Sequence, residues 1–261
     1  MADADIAVLI EPSGRIHTLE MIDESMKIKG IGVLNPYQRL IDVDIGQEIQ
    51  IGSKTFTRLP PRLPELVKGM KRRAQTIGSK DAGVLITRLG IGPGDIVLEA
   101  GLGSAGQSMH LARVLGASGH LITVEPRQEH SDVGLENLAT LARALPEFPM
   151  HSHIDGRVED TVSEIEQIST EVDAILLDLP EHATAIQAVA HLLKTGARLS
   201  CYCPVSSQLE QAWIACEEVG LEVEWAGEII EREWGKASKG GVRPVNGPFG
   251  HTAFLLIAQK K

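Results

Sequence analysis

The run Val97-Leu98-Glu99-Ala100-Gly101-Leu102-Gly103-Ser104-Ala105-Gly106 places three spaced glycines directly after an apolar stretch and before a helical pattern. Glycine turns tightly and lets backbone N–H groups approach a ligand with no Cβ in the way. Glu125 ends the next apolar stretch, about where an acid would hold the hydroxyls of a ribose. Together these residues suit a cofactor that carries a nucleoside. Gly101-x-Gly103-x-x-Gly106 alone admits both a nicotinamide dinucleotide and a sulfonium nucleoside.

Further acids separate the two. Glu99 lies inside the strand just before the glycines, where a dehydrogenase carries an apolar residue. Asp155 follows the third candidate strand, where an acid can meet an adenine amino group. Asp178-Leu179-Pro180 follows the fourth, facing the place where a substrate would enter. Each acid alone could cap a helix. Three at successive strand ends line one rim of a sheet, and an acidic rim attracts a sulfonium cation. S-adenosylmethionine is therefore the expected cofactor, with NAD(P) and a Rossmann oxidoreductase as the competing reading.

The elements that must position these residues follow from periodicity. Ile96–Ala100, Leu121–Glu125, Met150–Ile154, Ala174–Asp178 and Ala197–Cys203 read as strands. Helical stretches alternate with them near Ser108–Leu115, Ser131–Leu145, Thr161–Ile168, Thr184–Leu193 and Gln208–Val219. Such alternation implies a mainly parallel sheet covered on both faces. Leu221–Glu231 adds a sixth strand. His251–Gln259 adds a seventh, reached without a long helix and so expected to be antiparallel. Residues 1–62 read as a small β-rich domain with short strands at Ile6–Ile10, Ile28–Val33 and Ile49–Ile51. Residues 63–80 read as a basic linker or helix, and residues 81–261 as the cofactor-binding domain. The fold class expected is α/β, a seven-stranded Rossmann-like sheet with a small N-terminal β domain.

Composition narrows the partners. The chain has 261 residues, 43% of them hydrophobic, which suits one large domain and a small one. No apolar run approaches the roughly 18 residues of a membrane span. The acidic start Met1 to Asp5 does not resemble a leader. Cys201, Cys203 and Cys216 form no disulfide framework, which points to a reducing, cytoplasmic setting. His151 and His153 are too few for a zinc site, so no metal is expected. The net charge is −10, yet Arg58 to Lys80 holds seven Lys/Arg against Glu65, and residues 232–261 hold six against Glu233. A local basic face can steer RNA onto an acidic molecule. Trp213 and Trp225 are expected in the core, and Trp234 at a base or subunit contact.

Beyond these patterns, the chain resembles the tRNA (adenine-N1)-methyltransferases of the TrmI type. The resemblance rests on Met70-Lys71-Arg72-Arg73-Ala74-Gln75, Lys80-Asp81, Pro93-Gly94-Asp95, Leu98-Glu99-Ala100-Gly101, Gly103-Ser104 and Glu125. It continues through Tyr202-x-Pro204-x-x-x-Gln208, Arg232-Glu233-Trp234, Arg243-Pro244 and Gly250-His251-Thr252-x-Phe254-Leu255. It implies methyl transfer to N1 of an adenine in the T loop of tRNA, by a class I methyltransferase that assembles as a homotetramer. It also implies that Gly101, Leu102, Gly103, Ser104, Ala105, Gly106 and Gln107 wrap the methionine part of the cofactor. Glu125 would hold the ribose, Asp155 the adenine, and Asp178 would face cofactor and base. Arg72, Arg73, Arg232, Trp234 and Arg243 would contact RNA. The chain departs from the family pattern at Gly78, where an aromatic is usual, at Ala105, where glycine is usual, and at Glu181-His182. A non-catalytic RNA-binding partner subunit is the remaining alternative, although such a chain would be expected to lose Glu99, Gly101, Gly103, Glu125 and Asp178.

Overall fold

The computed structural model describes residues 5–237, 240–245 and 250–261. The acidic start as far as residue 4, and Lys239 of the basic C-terminal segment, lie outside the described residues.

The N-terminal part contains β1 (Ile6–Ile10), β2 (Ile16–Glu20), β3 (Met26–Ile28), β4 (Gly32–Leu34), α1 (Pro36–Leu40), β5 (Glu48–Ile51) and β6 (Lys54–Leu59). Four of these strands form a sheet in the order β2-β1-β6-β5. The stretch Ile28–Val33, expected as one strand, instead spans the end of β3, the hairpin turn and the start of β4. Gly30 and Gly32 adopt φ of +90° and +114° there, which glycine alone tolerates easily. β2 and β6 were not expected, because His17, Thr18, Thr55 and Thr57 dilute their apolar alternation. β1 is buried on both faces: Ala7 and Leu9 pack with Phe56 in a small core, while Ile6 and Val8 join the core of the larger sheet.

The remainder is α2 (Leu63–Gly69), α3 (Ser79–Leu89), β7 (Ile96–Ala100), α4 (Gly106–Leu115), β8 (His120–Glu125), α5 (Gln128–Ala144), β9 (Met150–Asp155), α6 (Val162–Ile168), β10 (Val172–Leu177), α7 (His182–Val189), β11 (Leu193–Cys203), α8 (Ser206–Glu218), β12 (Leu221–Gly227), β13 (Trp234–Lys236), β14 (Val242–Pro244) and β15 (Phe254–Lys260). Seven strands form one sheet in the order β12-β15-β11-β10-β7-β8-β9. β7 to β11 run parallel, and β15 is antiparallel to both β11 and β12. The late antiparallel strand is where the sequence places it, but it starts at Phe254, because His251 and Thr252 are engaged in side-chain hydrogen bonds. The basic segment divides into the short helix α2, an irregular stretch and then α3. α3 ends at Gly90, whose left-handed φ of +74° lets its N–H reach Ile86 O and Thr87 O.

Alternating side chains of the parallel strands feed two cores. Leu98, Ile122 and Ile175 face one, and Val97, Leu121 and Leu176 face the other. The strand order reverses between β7 and β10, so a crevice opens at their carboxyl ends, where open α/β sheets bind ligands. Trp213 departs from its expected core position, whereas Trp225 packs partly buried against the second core. Trp213 is partly exposed on α8 and donates to Glu217, and half-buried Trp225 carries the Arg88 guanidinium on its ring at 3.9 Å. All three cysteines are free and buried. Among the described residues, no helix is long and apolar enough to cross a membrane, and no group of three or more His, Cys, Asp or Glu could hold a metal ion.

Candidate functional site

The crevice is built by three strand ends locked together. Asp178 N–H donates to Ala100 O at 2.7 Å, which ties the end of β10 to the glycine turn. Leu102 N–H donates to Val124 O, and Gly103 N–H donates to Glu125 Oε2 at 2.9 Å. A Cβ on Gly101 would lie 3.2 Å from Asp178 O and 3.3 Å from Glu125 Oε2, tighter than ordinary contacts. Gly101 is thus required so that backbone can pass between two acidic strand ends. Gly103 has a left-handed φ of +54°, and so does Ala105 at +63°, an unusual conformation for a residue with a Cβ.

The third glycine serves a different contact. A Cβ on Gly106 would meet Thr76 Cβ at 2.6 Å and Ile77 O at 3.1 Å. The irregular stretch after α2 therefore lies directly on the glycine turn. Ser104 Oγ accepts the backbone N–H of Arg73 and of Ala74, at 2.9 and 3.0 Å. Asn137 accepts from Lys71 N–H and donates to both Lys71 O and Ser104 O. The Ser104 hydroxyl, expected at the cofactor, is thus committed to the basic segment. Leu102 points into the core against Gly134, and Ala105 is buried. From this run, the backbone and Gln107 remain for a ligand.

The carboxyls differ in charge. Burial pushes Glu99 up to about 8, and the neighbouring Asp178 adds to that shift. Burial pushes Asp178 up to about 7, with the Glu125 charge in the same direction and Arg127 opposing it. For Glu125, burial raises the pKa, but hydrogen bonds from Arg127 and Gly103 outweigh it and hold the carboxyl below its usual value. Glu125 is the firmly ionised acid of the three. Glu99 Oε2 and both polar atoms of the Gln107 amide are buried without a protein partner. A cavity of about 10 Å³ between Glu99, Gln107, Asp178, Ser200 and Tyr202 connects them.

A second cavity, of about 60 Å³, lies beyond the ends of β7 and β8 between Pro126, Gly156, Arg157, Val158, Leu179 and Pro180. Asp155 does not line it. Its carboxylate is exposed at the end of β9, the edge strand of the sheet, and paired with His153 Nε2 at 3.2 Å, two residues earlier on the same face. The residues that follow Asp155, Gly156 to Val158, line that cavity instead. Gly156, with φ of +146°, and the apolar Val158 two residues later are a weaker signal than an acid at a strand end.

The specific motif residues converge beside this site. Buried Asp81 accepts from Lys80 Nζ at 2.5 Å and from Thr252 Oγ1 at 2.8 Å, and Lys80 also donates to Ile229 O. His251 bridges Glu228 and Pro204 O. These contacts join α3, the turn after β11 and the approach to β15, around Tyr202. The RNA candidates are dispersed. Arg72 and Arg73 are exposed above the glycine turn. Trp234 is 63% exposed on the β13–β14 ribbon, opposite Pro244. Arg243 pairs with Gly235, so it projects from the other face of that ribbon from Trp234. Arg232 is exposed just before β13.

Residues 59–239 match the family described as the tRNA methyltransferase complex GCD14 subunit. The chain is 31% identical to the tRNA (adenine(57)-N(1)/adenine(58)-N(1))-methyltransferase TrmI of Methanocaldococcus jannaschii over 238 residues, covering 84% of this chain and 83% of the relative. It is 32% identical to the tRNA (adenine(58)-N(1))-methyltransferase TrmI of Thermus thermophilus, covering 86% and 85%. Among solved structures, an S-adenosylmethionine-dependent O-methyltransferase of Thermotoga maritima superposes with a TM-score of 0.78 at 23% identity, over 100% of this chain and 94% of the other. The tRNA (m1A58) methyltransferase TrmI of Aquifex aeolicus superposes at 0.70 and 21%, over 100% and 98%. At those identities the superpositions show the fold, a class I methyltransferase sheet. The family match over most of the chain and the sequence relatives above 30% identity make this chain a member of the GCD14/TrmI family of tRNA methyltransferases.

Proposed function

We propose that this protein transfers a methyl group from S-adenosylmethionine to N1 of an adenine in the T loop of tRNA, at position 58 and, as the M. jannaschii relative's name states for that enzyme, at 57. The observation that supports it best is the convergence of Gly101, Gly103, Glu125 and Asp178 at the point where the strand order reverses. The residues fit the cofactor. An ionised carboxylate is present for a ribose diol, and beside the glycine turn Glu99 and Gln107 hold buried polar atoms without partners.

When bound, S-adenosylmethionine supplies a methyl group on a positively charged sulfur. The protein's part is alignment and charge. Glu125 would anchor the ribose hydroxyls, and the backbone after Gly101 with the Gln107 amide would hold the amino-acid end. The apolar walls of Pro126, Val158 and Leu179 would take the adenine. Adenine N1 attacks through its own lone pair, so the gain comes from holding the reacting atoms in line. Asp178 would accept a hydrogen bond from the exocyclic amine of the target base, and its negative charge would stabilise the cation that methylation creates. With its pKa near 7, that charge is only partly present at neutral pH and grows as pH rises. The target base must leave its stack to reach Asp178, and Arg72, Arg73, Arg232, Trp234 and Arg243 are the proposed RNA contacts. A homotetramer in the cytoplasm is the proposed assembly.

The test is mass spectrometry of tRNA nucleosides after incubation with pure protein and S-adenosylmethionine. N1-methyladenosine confined to the T loop is expected. No methylated nucleoside, with S-adenosylhomocysteine still bound, would make this chain a partner subunit instead.

A further inference from the structure

Glu125 is fully buried, yet its carboxylate is covered from the solvent side by one exposed residue. Arg127 Nε donates to Oε1 at 2.7 Å, and Arg127 Nη2 donates to Oε2 at 3.3 Å. The Arg127 backbone N–H adds a bond to Oε1 at 3.2 Å, and Gly103 N–H supplies the fourth, to Oε2. A carboxylate has about four acceptor positions, so these four donors leave none for a ligand. Two of the donors are backbone and fixed. The other two belong to a side chain that is 55% exposed and can turn into water, where Glu129 offers it another charge partner.

We propose that the Arg127 side chain is a built-in competitor for the ribose of the cofactor, occupying on Glu125 the two acceptor positions that the ribose diol must take. The proposal rests on the reading of Glu125 as the ribose anchor. The stereochemistry supports the exchange, since a guanidinium fork and a vicinal diol each present two adjacent donors to two carboxylate oxygens. The arrangement also keeps a buried acid ionised and hydrogen-bonded when no diol is there, which an apolar neighbour could not do. Every ligand that uses Glu125 must first displace the fork. Its apparent affinity is therefore lowered by the fraction of molecules in which Arg127 has already turned away.

If Arg127 is fully displaced in the bound state, its removal changes only the free protein. The cationic cofactor and its neutral product should then gain affinity by the same factor, although their charges differ. The experiment is calorimetric titration of S-adenosylmethionine and S-adenosylhomocysteine into the wild-type chain and into Arg127→Met, Arg127→Lys and Glu125→Gln, at pH 8 so that Glu125 stays ionised. Melting curves first establish that each variant is folded. Arg127→Met should tighten both ligands equally, by about tenfold, the change that about 1.4 kcal/mol produces. Arg127→Lys, which keeps the charge but loses the fork, should fall between. Unchanged or weaker binding, or a gain confined to one ligand, overturns the proposal. Glu125→Gln should lose affinity for both ligands. Wild-type affinity in that variant would show that the ribose reading itself is wrong, whereas loss there with no gain in Arg127→Met would overturn the competitor alone.

Discussion

At the carboxyl end of β7 the backbone is interlocked: Asp178 is held by Ala100, Gly103 by Glu125, and Ser104 by the segment it clamps. On the β13–β14 ribbon, Trp234, Lys236, Val242 and Arg243 stand in solvent with little packed around them. The first region must fix a small ligand against a reacting base, and geometry at that precision comes from interlocked backbone. The second, as proposed, would meet a long polyanion, for which the strength of contact comes from charge and can be spread over exposed side chains. Mutations should therefore act sharply and locally in the first region and by small, additive steps in the second.

The largest expected effect tests the interlocked half. Asp178→Ala should reduce turnover on tRNA by roughly 10²–10³-fold, the usual effect of deleting a preorganised group that meets developing charge, while the protein remains folded. For the wild type, kcat/KM should rise as pH passes upward through about 7, because Asp178 ionises there. A normal rate in the variant would reduce Asp178 to a strand-end contact and weaken the contrast between the regions.

Next is Glu99. Its folded pKa, about 8, lies above the usual carboxyl value of 4.5, so the folded chain favours the proton. That contribution to stability is complete below pH 4.5 and is lost as pH rises towards 8. Glu99→Gln keeps the shape and removes the titration. It should raise the melting temperature at pH 8 and leave it nearly unchanged at pH 4.5. Equal effects at both pH values would mean that Glu99 is not held neutral in the fold.

The dispersed half should respond more gently. Replacing Arg72 and Arg73 together by alanine should weaken tRNA binding and reduce the slope of log affinity against log salt by up to about 2 units, near one per phosphate contact. Affinity for S-adenosylhomocysteine should change little, because Ser104 holds this stretch through backbone N–H groups that alanine retains. Titrations at several salt concentrations check both points, and an unchanged slope would leave this segment a solvated face.

The smallest effect concerns Ala105. Its left-handed φ of +63° costs about 1 kcal/mol for a residue with a Cβ, partly offset by the freedom glycine has in the unfolded chain. Ala105→Gly should therefore leave stability equal or slightly higher, by less than about 1 kcal/mol, as read from denaturant unfolding. A clear loss would mean that the Ala105 methyl group is needed for packing.

The same contrast explains what the sequence made legible. The Gly101-x-Gly103-x-x-Gly106 spacing and the acids Glu125 and Asp178 could be placed because tight backbone approach admits so few residue types. The parallel sheet and its antiparallel late strand followed from β-α alternation and a last strand reached without a crossover helix. What escaped depended on contacts distant in sequence. The sequence does not show that Arg73 and Ala74 donate to the Ser104 hydroxyl, nor that the exposed Asp155 carboxylate pairs with His153. Trp213 and Trp225 read as core because tryptophan usually packs there; Trp225 does pack against the core while carrying Arg88, but Trp213 forms part of a helix surface. β2 was hidden because a polar edge strand lacks a continuous apolar run.

Because β1 is buried on both faces, the chain cannot be divided cleanly at its linker. Ile6 and Val8 close the same core that contains Val97, Leu121 and Leu176, while Ala7 and Leu9 close the small one. A cut near residue 62 would not release a finished catalytic unit. It would strip an apolar lid from that unit and leave the excised sheet without one wall. The first strand acts as a shared seam, so the accessory β sheet and the methyltransferase sheet are joined mechanically as well as covalently. Insertions, fusions and evolutionary exchange of the N-terminal part must carry that seam with them.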